Sequence, residues 1–376
     1  MIDRIKKRQS GLELLRIFCM LFIVSLHYIS QSGARSTIPW GWNYIFTIVT
    51  GEAGRLGVTC FFMITAWFLC DSKFDVMRIV KILLEVWFYE AVIGAVAVVR
   101  WGVSVKEALY QLIPFYGSTY WFANTYILLL LFSPFLNVFI QKCPRKIFKM
   151  YILIFFVLGL LMPTLYYNHG GPLTGNEFYV FVYLFIGYIK KYSIDIFKSR
   201  KVILLTLIVG YAFICIPFFV WRVMPAEEAA VFNADYYAGM LWTLPNFACA
   251  FALFTFFRGL RFHNRYINFI AQATFAVYLI QNNPYINQRL WNNFFHADQY
   301  FESNMWSLYS VFVVGSVYVV CTIIDLIRIY FVEIPLISLP WAKKFQNMVN
   351  KHFVVESQKE DKRNVMKGEK TDEKVD

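Results

Sequence analysis

Apolar runs wide enough to cross a bilayer follow one another from residue 12 to residue 332, separated by short polar stretches. Windows of about 19 residues predict membrane spans over 12–33, 45–70, 79–99, 120–140, 148–167, 177–192, 202–221, 236–257, 267–287 and 306–332. The fold class expected from this pattern is an all-α integral membrane protein of about ten transmembrane helices. An even number of spans places both termini on one side. The first run does not read as a cleaved signal peptide: it has no A-x-A-like site, and Glu13, Arg16 and His27 interrupt it.

Composition agrees with the pattern and narrows the function. Of 376 residues, 59% are hydrophobic and only 16% charged, against about 45–50% and 25% in a soluble globule. A cytosolic enzyme, a disordered chain and a wet nucleic-acid reader are thereby excluded, and no nucleic-acid partner is expected. The net charge of +12 sits in short loops, since residues 351–376 hold seven Lys/Arg and seven Asp/Glu. With the N-terminus inside, the inner loops carry 21 Lys/Arg and the outer loops five, the asymmetry of the positive-inside rule. The expected location is a cell membrane, crossed many times, with N- and C-termini cytoplasmic and the lipid bilayer as partner. Residues 1–345 form the membrane domain, and 346–376 a charged, disordered cytoplasmic tail. The seven cysteines show no repeated CxxC spacing, so neither a disulfide framework nor a metal site is indicated.

Ionisable side chains inside hydrocarbon cost several kcal/mol unless paired or facing a cavity, which makes each a functional candidate. In the first span, Arg16 and His27 lie 11 residues apart, three turns plus about 20°, and so share a face about 16 Å apart along the axis. Glu13, one turn before Arg16, is placed to pair with it. Two readings fit: Arg16 snorkels to inner headgroups while His27 bonds across helices, or the face lines a polar shaft with a cationic anchor at its mouth and a proton-transfer residue deep inside.

The segment LELLR, with Arg16-x10-His27, resembles the opening signature of the acyltransferase-3 family, integral-membrane enzymes that decorate cell-surface glycans. The stretch 57-GVTCFFMITAWFL-69 is similar to that family's second-helix G-V-x-x-F-F-x-x-S-G-F-x-L segment. Weaker likenesses follow in 120-YWFANTYILLLLFSPFLN-137, 183-YLFIGYI-189 and 275-FAVYLIQNNP-284. Two positions depart from the pattern: Thr65-Ala66 replaces Ser-Gly, and Gln281 replaces a late histidine. Gln281 can orient a group but cannot shuttle a proton at neutral pH.

The resemblance implies an acyl-CoA donor, acetyl-CoA foremost, and a cell-envelope polysaccharide or lipid-linked sugar as acceptor. His27 is then the expected general base and Arg16 the cation that positions the donor. Glu13, Thr65, Trp121, Asn124 and Tyr126 are the remaining candidates for the donor site. Gln281, Asn282 and Asn283, a polar break before Pro284, are the candidates for the acceptor. Ordinary interhelical bonding explains Thr65 and Asn124 as well, and an interfacial aromatic belt explains Trp121 and Tyr126. Glu52 with Arg55, and Asp325 with Arg328, are expected as ion pairs. His169 and His296 fall in outer loops. A different class also fits a polar shaft with aromatic outer loops: a non-enzymatic glycan or lipid transporter.

Overall fold

The structure, a computed structural model, describes residues 9–115, 120–166, 173–232, 234 and 240–352. It is 81% helical, and no strand occurs among the described residues. His169 and the segment 353–376 lie outside them.

Among the described residues, seven helical stretches are long and apolar enough to cross a membrane: Ser10–Gln31, Trp42–Leu69, Val76–Trp101, Trp121–Lys142, Arg145–Leu165, Arg200–Val223 and Trp306–Ser338. These correspond to seven of the ten expected spans. The other three are shorter for local reasons. Asn176–Lys191, with 16 residues, reaches only ~24 Å, but nearly every side chain after its first turn is buried, so protein covers it. Leu244–Arg258, with 15 residues, is shorter still and is buried through Asn246–Phe254 except at Ala248 and Leu253. The expected span 267–287 is broken into Arg265–Ile270, a 3-10 turn at Ala271–Ala273, and Thr274–Gln281. Its end is written in the sequence Asn-Asn-Pro: Pro284 has no N–H to donate, and Asn283 Oδ1 instead accepts from the Tyr285 N–H at 3.0 Å.

We label the helices that build the site α1 (Ser10–Gln31), α2 (Ala53–Leu69), α3 (Val76–Trp101), α4 (Trp121–Lys142), α5 (Asn176–Lys191), α6 (Thr274–Gln281), α7 (Trp306–Arg328) and α8 (Pro340–His352). The tightest packing joins α1 to α2, and glycine makes it possible. A Cβ on Gly57 would lie 2.6 Å from the Cys19 carbonyl oxygen, and one on Gly54 would lie 2.7 Å from that of Phe22. Small residues let two backbones approach in this way where lipid supplies no hydrophobic drive between helices. At the opposite extreme, Arg200–Val223 turns Leu204, Leu205, Ile208 and Phe213 outward, as a lipid-facing helix does.

Two buried charge groups tie the bundle. Glu52, fully buried, pairs with Arg55 at 3.0 Å and with Arg35 at 2.5 Å. On α7, Asp325 pairs with Arg328 at 2.6 Å, and Arg328 also reaches Glu333 at 3.1 Å and Glu85 of α3 at 3.6 Å. Both expected pairs are thus parts of larger groups, which is how such charges are retained in a low-dielectric interior. Helix α8 docks on the start of α3, where Gln346 Nε2 donates to Asp75 Oδ1 at 2.9 Å.

Candidate active site

The first-helix charges are built as the spacing predicts. Arg16 Nη1 is 3.1 Å from Glu13 Oε2, one turn below it. Glu13 is buried, whereas the Arg16 side chain keeps 27% of its surface open. That opening faces two cavities. One, of about 710 Å3, is lined by Glu13, Arg16, Thr65, Trp67, Arg78, Tyr126 and Lys190. The other, of about 280 Å3, is lined by Arg16, Thr65 and Tyr126 again, then by Lys81, Glu85, Arg328 and Glu333 on one wall and Gln272, Thr274 and Phe275 on another. Thr65 Oγ1 donates to the Tyr126 hydroxyl at 3.2 Å, joining α2 to α4 where the cavities meet. The larger cavity is lined by three cations and one carboxylate, and although Lys190 also pairs with Asp71 at 2.8 Å, the balance stays positive and favours an anionic group at its mouth.

The smaller cavity ends against Phe122 and Phe275. Their rings lie 5.6 and 6.2 Å from Tyr278, whose ring is in turn 6.1 Å from His27. An aromatic layer therefore occupies the space between the Arg16 cavities and His27, and His27 lines neither cavity. These rings were legible only as a generic apolar pattern.

His27 itself is held by the helix break. Its Nδ1 lies 2.7 Å from Gln281 Nε2, and Gln281 is fully buried. One turn further along α1, Gln31 Nε2 donates to Asn282 Oδ1 at 2.8 Å, while Gln31 Oε1 accepts from the Trp291 indole at 2.7 Å. The face carrying Arg16 and His27 thus continues through Gln31, four residues on. That helical spacing was the signal that would have found Gln31.

Asn283 serves a different end. Its amide nitrogen donates to the Tyr120 hydroxyl at 2.9 Å and to Glu90 Oε2 at 3.4 Å, and the Tyr120 hydroxyl donates onward to the Leu279 carbonyl. With its oxygen on the Tyr285 N–H as well, Asn283 braces the break. Glu90 was missed in the sequence although it is an ionisable residue in the 79–99 run. It is buried, and its Oε1 has no hydrogen-bond partner among the described residues.

The structure therefore brings Glu13, Arg16, Thr65 and Tyr126 around one pair of cavities, and His27, Gln281 and Asn282 around another point. It leaves Trp121 and Asn124 off both cavity walls. Trp121 is exposed and leans on Tyr179 and Phe122. Among the described residues, no group of His, Cys, Asp and Glu has the arrangement of a metal site.

Comparison with known proteins agrees with this architecture. Residues 9–326 match the family described as an acyltransferase domain, and the match covers nearly the whole chain. The chain belongs to the acyltransferase-3 family. No curated protein and no solved structure matches it. It is a multi-pass membrane acyltransferase.

Proposed function

We propose that this enzyme transfers an acyl group, acetyl in the first instance, from acyl-CoA on the cytoplasmic side to a hydroxyl of a cell-envelope polysaccharide or its lipid-linked precursor, with His27 as general base. The observation that carries the reading is the pairing of His27 with Gln281, three turns above an arginine that opens onto a cationic cavity.

The donor's phosphates would sit among Arg78, Lys190 and Arg16, which attract anions and present N–H donors. Arg16 offers a planar fork to a phosphate or carbonyl oxygen, held in place by Glu13. The pantetheine arm would follow the smaller cavity past Thr65 and Tyr126. The axial gap of about 16 Å to His27 suits an extended arm. Reaching His27 requires Phe275 and Tyr278 to turn aside, so donor entry and ring movement form one step.

At His27 the acceptor hydroxyl gives its proton to the free ring nitrogen while its oxygen attacks the thioester carbonyl. The tetrahedral adduct collapses, the C–S bond breaks, and the CoA thiolate recovers the proton from the imidazolium. This uses Nε2 as the base and requires the proton of the neutral ring on Nδ1. A glutamine amide serves that state by presenting Oε1 to Nδ1–H. In the orientation found, Nε2 of Gln281 faces Nδ1 and Gln281 Oε1 is buried without a hydrogen-bond partner among the described residues. A half-turn of the amide exchanges the two tautomers. Gln281 thus does by orientation what it cannot do by proton transfer.

The test is sidedness. In sealed inside-out vesicles, labelled acetyl-CoA added to the exposed face should acylate acceptor trapped in the lumen. Cysteines introduced at Lys198 and Asn293 should label oppositely with an impermeant maleimide on intact cells, Asn293 reactive and Lys198 protected. Transfer only when donor and acceptor share one side would overturn the path from Arg16 to His27.

A further inference from the structure

Helix α8 has three distinct faces, and among the described residues only one of them packs against the rest of the chain. Ala342 is buried, and Gln346 and Asn350 on the same side donate to Asp75 Oδ1 at 2.9 and 3.2 Å. Asn350 Oδ1 also accepts from the Val76 N–H at 2.9 Å. A second face carries Trp341, Phe345 and Met348, spaced i, i+4, i+7 and so within about 60° of one another. These three are 55%, 38% and 57% exposed. Lys343, Lys344 and Lys351 occupy the third, and residues 340–352 contain no acidic side chain.

We infer that α8 lies in the membrane interface and binds anionic phospholipid, its apolar face in the acyl boundary and its lysines on the headgroups. Continuity with the lipid-facing surface selects a bilayer over a soluble partner. The chain enters α8 from Tyr330, Phe331, Ile334 and Leu339, all exposed apolar residues at the end of a membrane-length helix. A tryptophan at the start of an amphipathic helix with lysines beside its apolar strip is the composition of an interfacial helix. The charge selects anionic over zwitterionic lipid, because each lysine near an anionic surface adds about 1 kcal/mol, roughly fivefold in binding.

The anchor has a mechanical consequence. Asp75 caps α3, accepting from the Met77 N–H at 3.1 Å, and the first turns of α3 carry Arg78 and Lys81 into the two cavities. Lipid held by α8 therefore steadies the cationic mouth through Asp75. This last link rests on the donor-site reading above, whereas lipid binding by α8 does not.

The experiment uses the full chain with Cys143→Ser, since the other six cysteines are buried. An environment-sensitive fluorophore is attached at Met348→Cys or, separately, at Asn347→Cys. Each protein is reconstituted in nanodiscs of phosphatidylcholine alone or mixed with phosphatidylglycerol, with a shallow nitroxide-labelled lipid as quencher. The Met348 probe should be blue-shifted and more strongly quenched than the Asn347 probe, which lies on the lysine face at headgroup level, and phosphatidylglycerol should deepen the quenching at Met348. Replacing Lys343, Lys344 and Lys351 by glutamine should remove the phosphatidylglycerol increment while the protein stays folded. Equal quenching at both positions, or quenching indifferent to phosphatidylglycerol in the parent, would overturn the inference.

Discussion

Gln281 Nε2 stands 2.7 Å from His27 Nδ1, across 254 residues of sequence. One buried amide is thereby set against the ring whose tautomer decides whether Nε2 donates or accepts a proton. Replacing Gln281 with Leu should lower acyl transfer by at least about tenfold, since loss of a tautomer-setting partner in hydrolytic triads costs far more. Gln281→Glu should move the acidic limb of the pH–rate profile upward, because a carboxylate beside the ring stabilises the imidazolium. A purely structural glutamine would change the amount of active protein and leave that limb in place.

Arg16 makes a different prediction. A planar guanidinium is not replaced by an ammonium at a fork-shaped contact, so Arg16→Lys should raise KM for acetyl-CoA although charge is retained. Arg78→Gln and Lys190→Gln should do the same and make KM less sensitive to salt, as expected when half-buried, solvent-reachable charges that attract an anion are removed. Equal KM in Arg16→Lys and the parent would favour simple snorkelling.

The close approach of α1 and α2 is testable through Gly57. A methyl there lies 2.6 Å from the Cys19 carbonyl oxygen and 3.2 Å from its Cα, backbone atoms that cannot rotate away. The helix-propensity gain of Gly→Ala, about 1 kcal/mol, is smaller than an overpacking cost of about 1–3 kcal/mol. Gly57→Ala should therefore lower the melting temperature in detergent. Cys19 lies between Arg16 and His27 on α1, so activity should fall as well.

Asp75 predicts an acid-labile contact. Burial alone would raise its carboxyl, but hydrogen bonds from Gln346, Asn350 and the Met77 N–H outweigh that and hold it below the usual carboxylate range. A depressed value means that its contribution is complete above about pH 4 and is lost as the pH falls through the folded value. Protection of 340–352 against hydrogen exchange, taken relative to the intrinsic amide rate at each pH, should fall on acidification in the parent. In Asp75→Asn that protection should be lower at neutral pH and nearly pH-independent over the same window.

Much of the architecture was legible because its causes are local. Seven of the ten spans follow from apolar run length, and the shared face of Arg16 and His27 and the Glu13–Arg16 and Asp325–Arg328 pairs from helical spacing. The helix break at 282–284 was legible from Asn-Asn-Pro, though its use was not: Asn283 spends its amide on Tyr120 and Glu90, residues from distant segments. The shortness of Asn176–Lys191 was hidden too, because an apolar run reads alike whether lipid or protein surrounds it. The aromatic layer of Phe122, Phe275 and Tyr278 comes from α4 and α6, and no spacing rule brings those together. Trp121 and Asn124 shared a helix with Tyr126 but not its face.

The central claim is that His27 is the base, and single-turnover transfer from labelled acetyl-CoA tests it most directly. His27→Ala protein that inserts and melts like the parent, reconstituted at matched amounts in nanodiscs with acceptor glycan, should transfer at least about 10²-fold more slowly, the usual contribution of general acid–base catalysis. A rate equal to that of the parent would contradict the account.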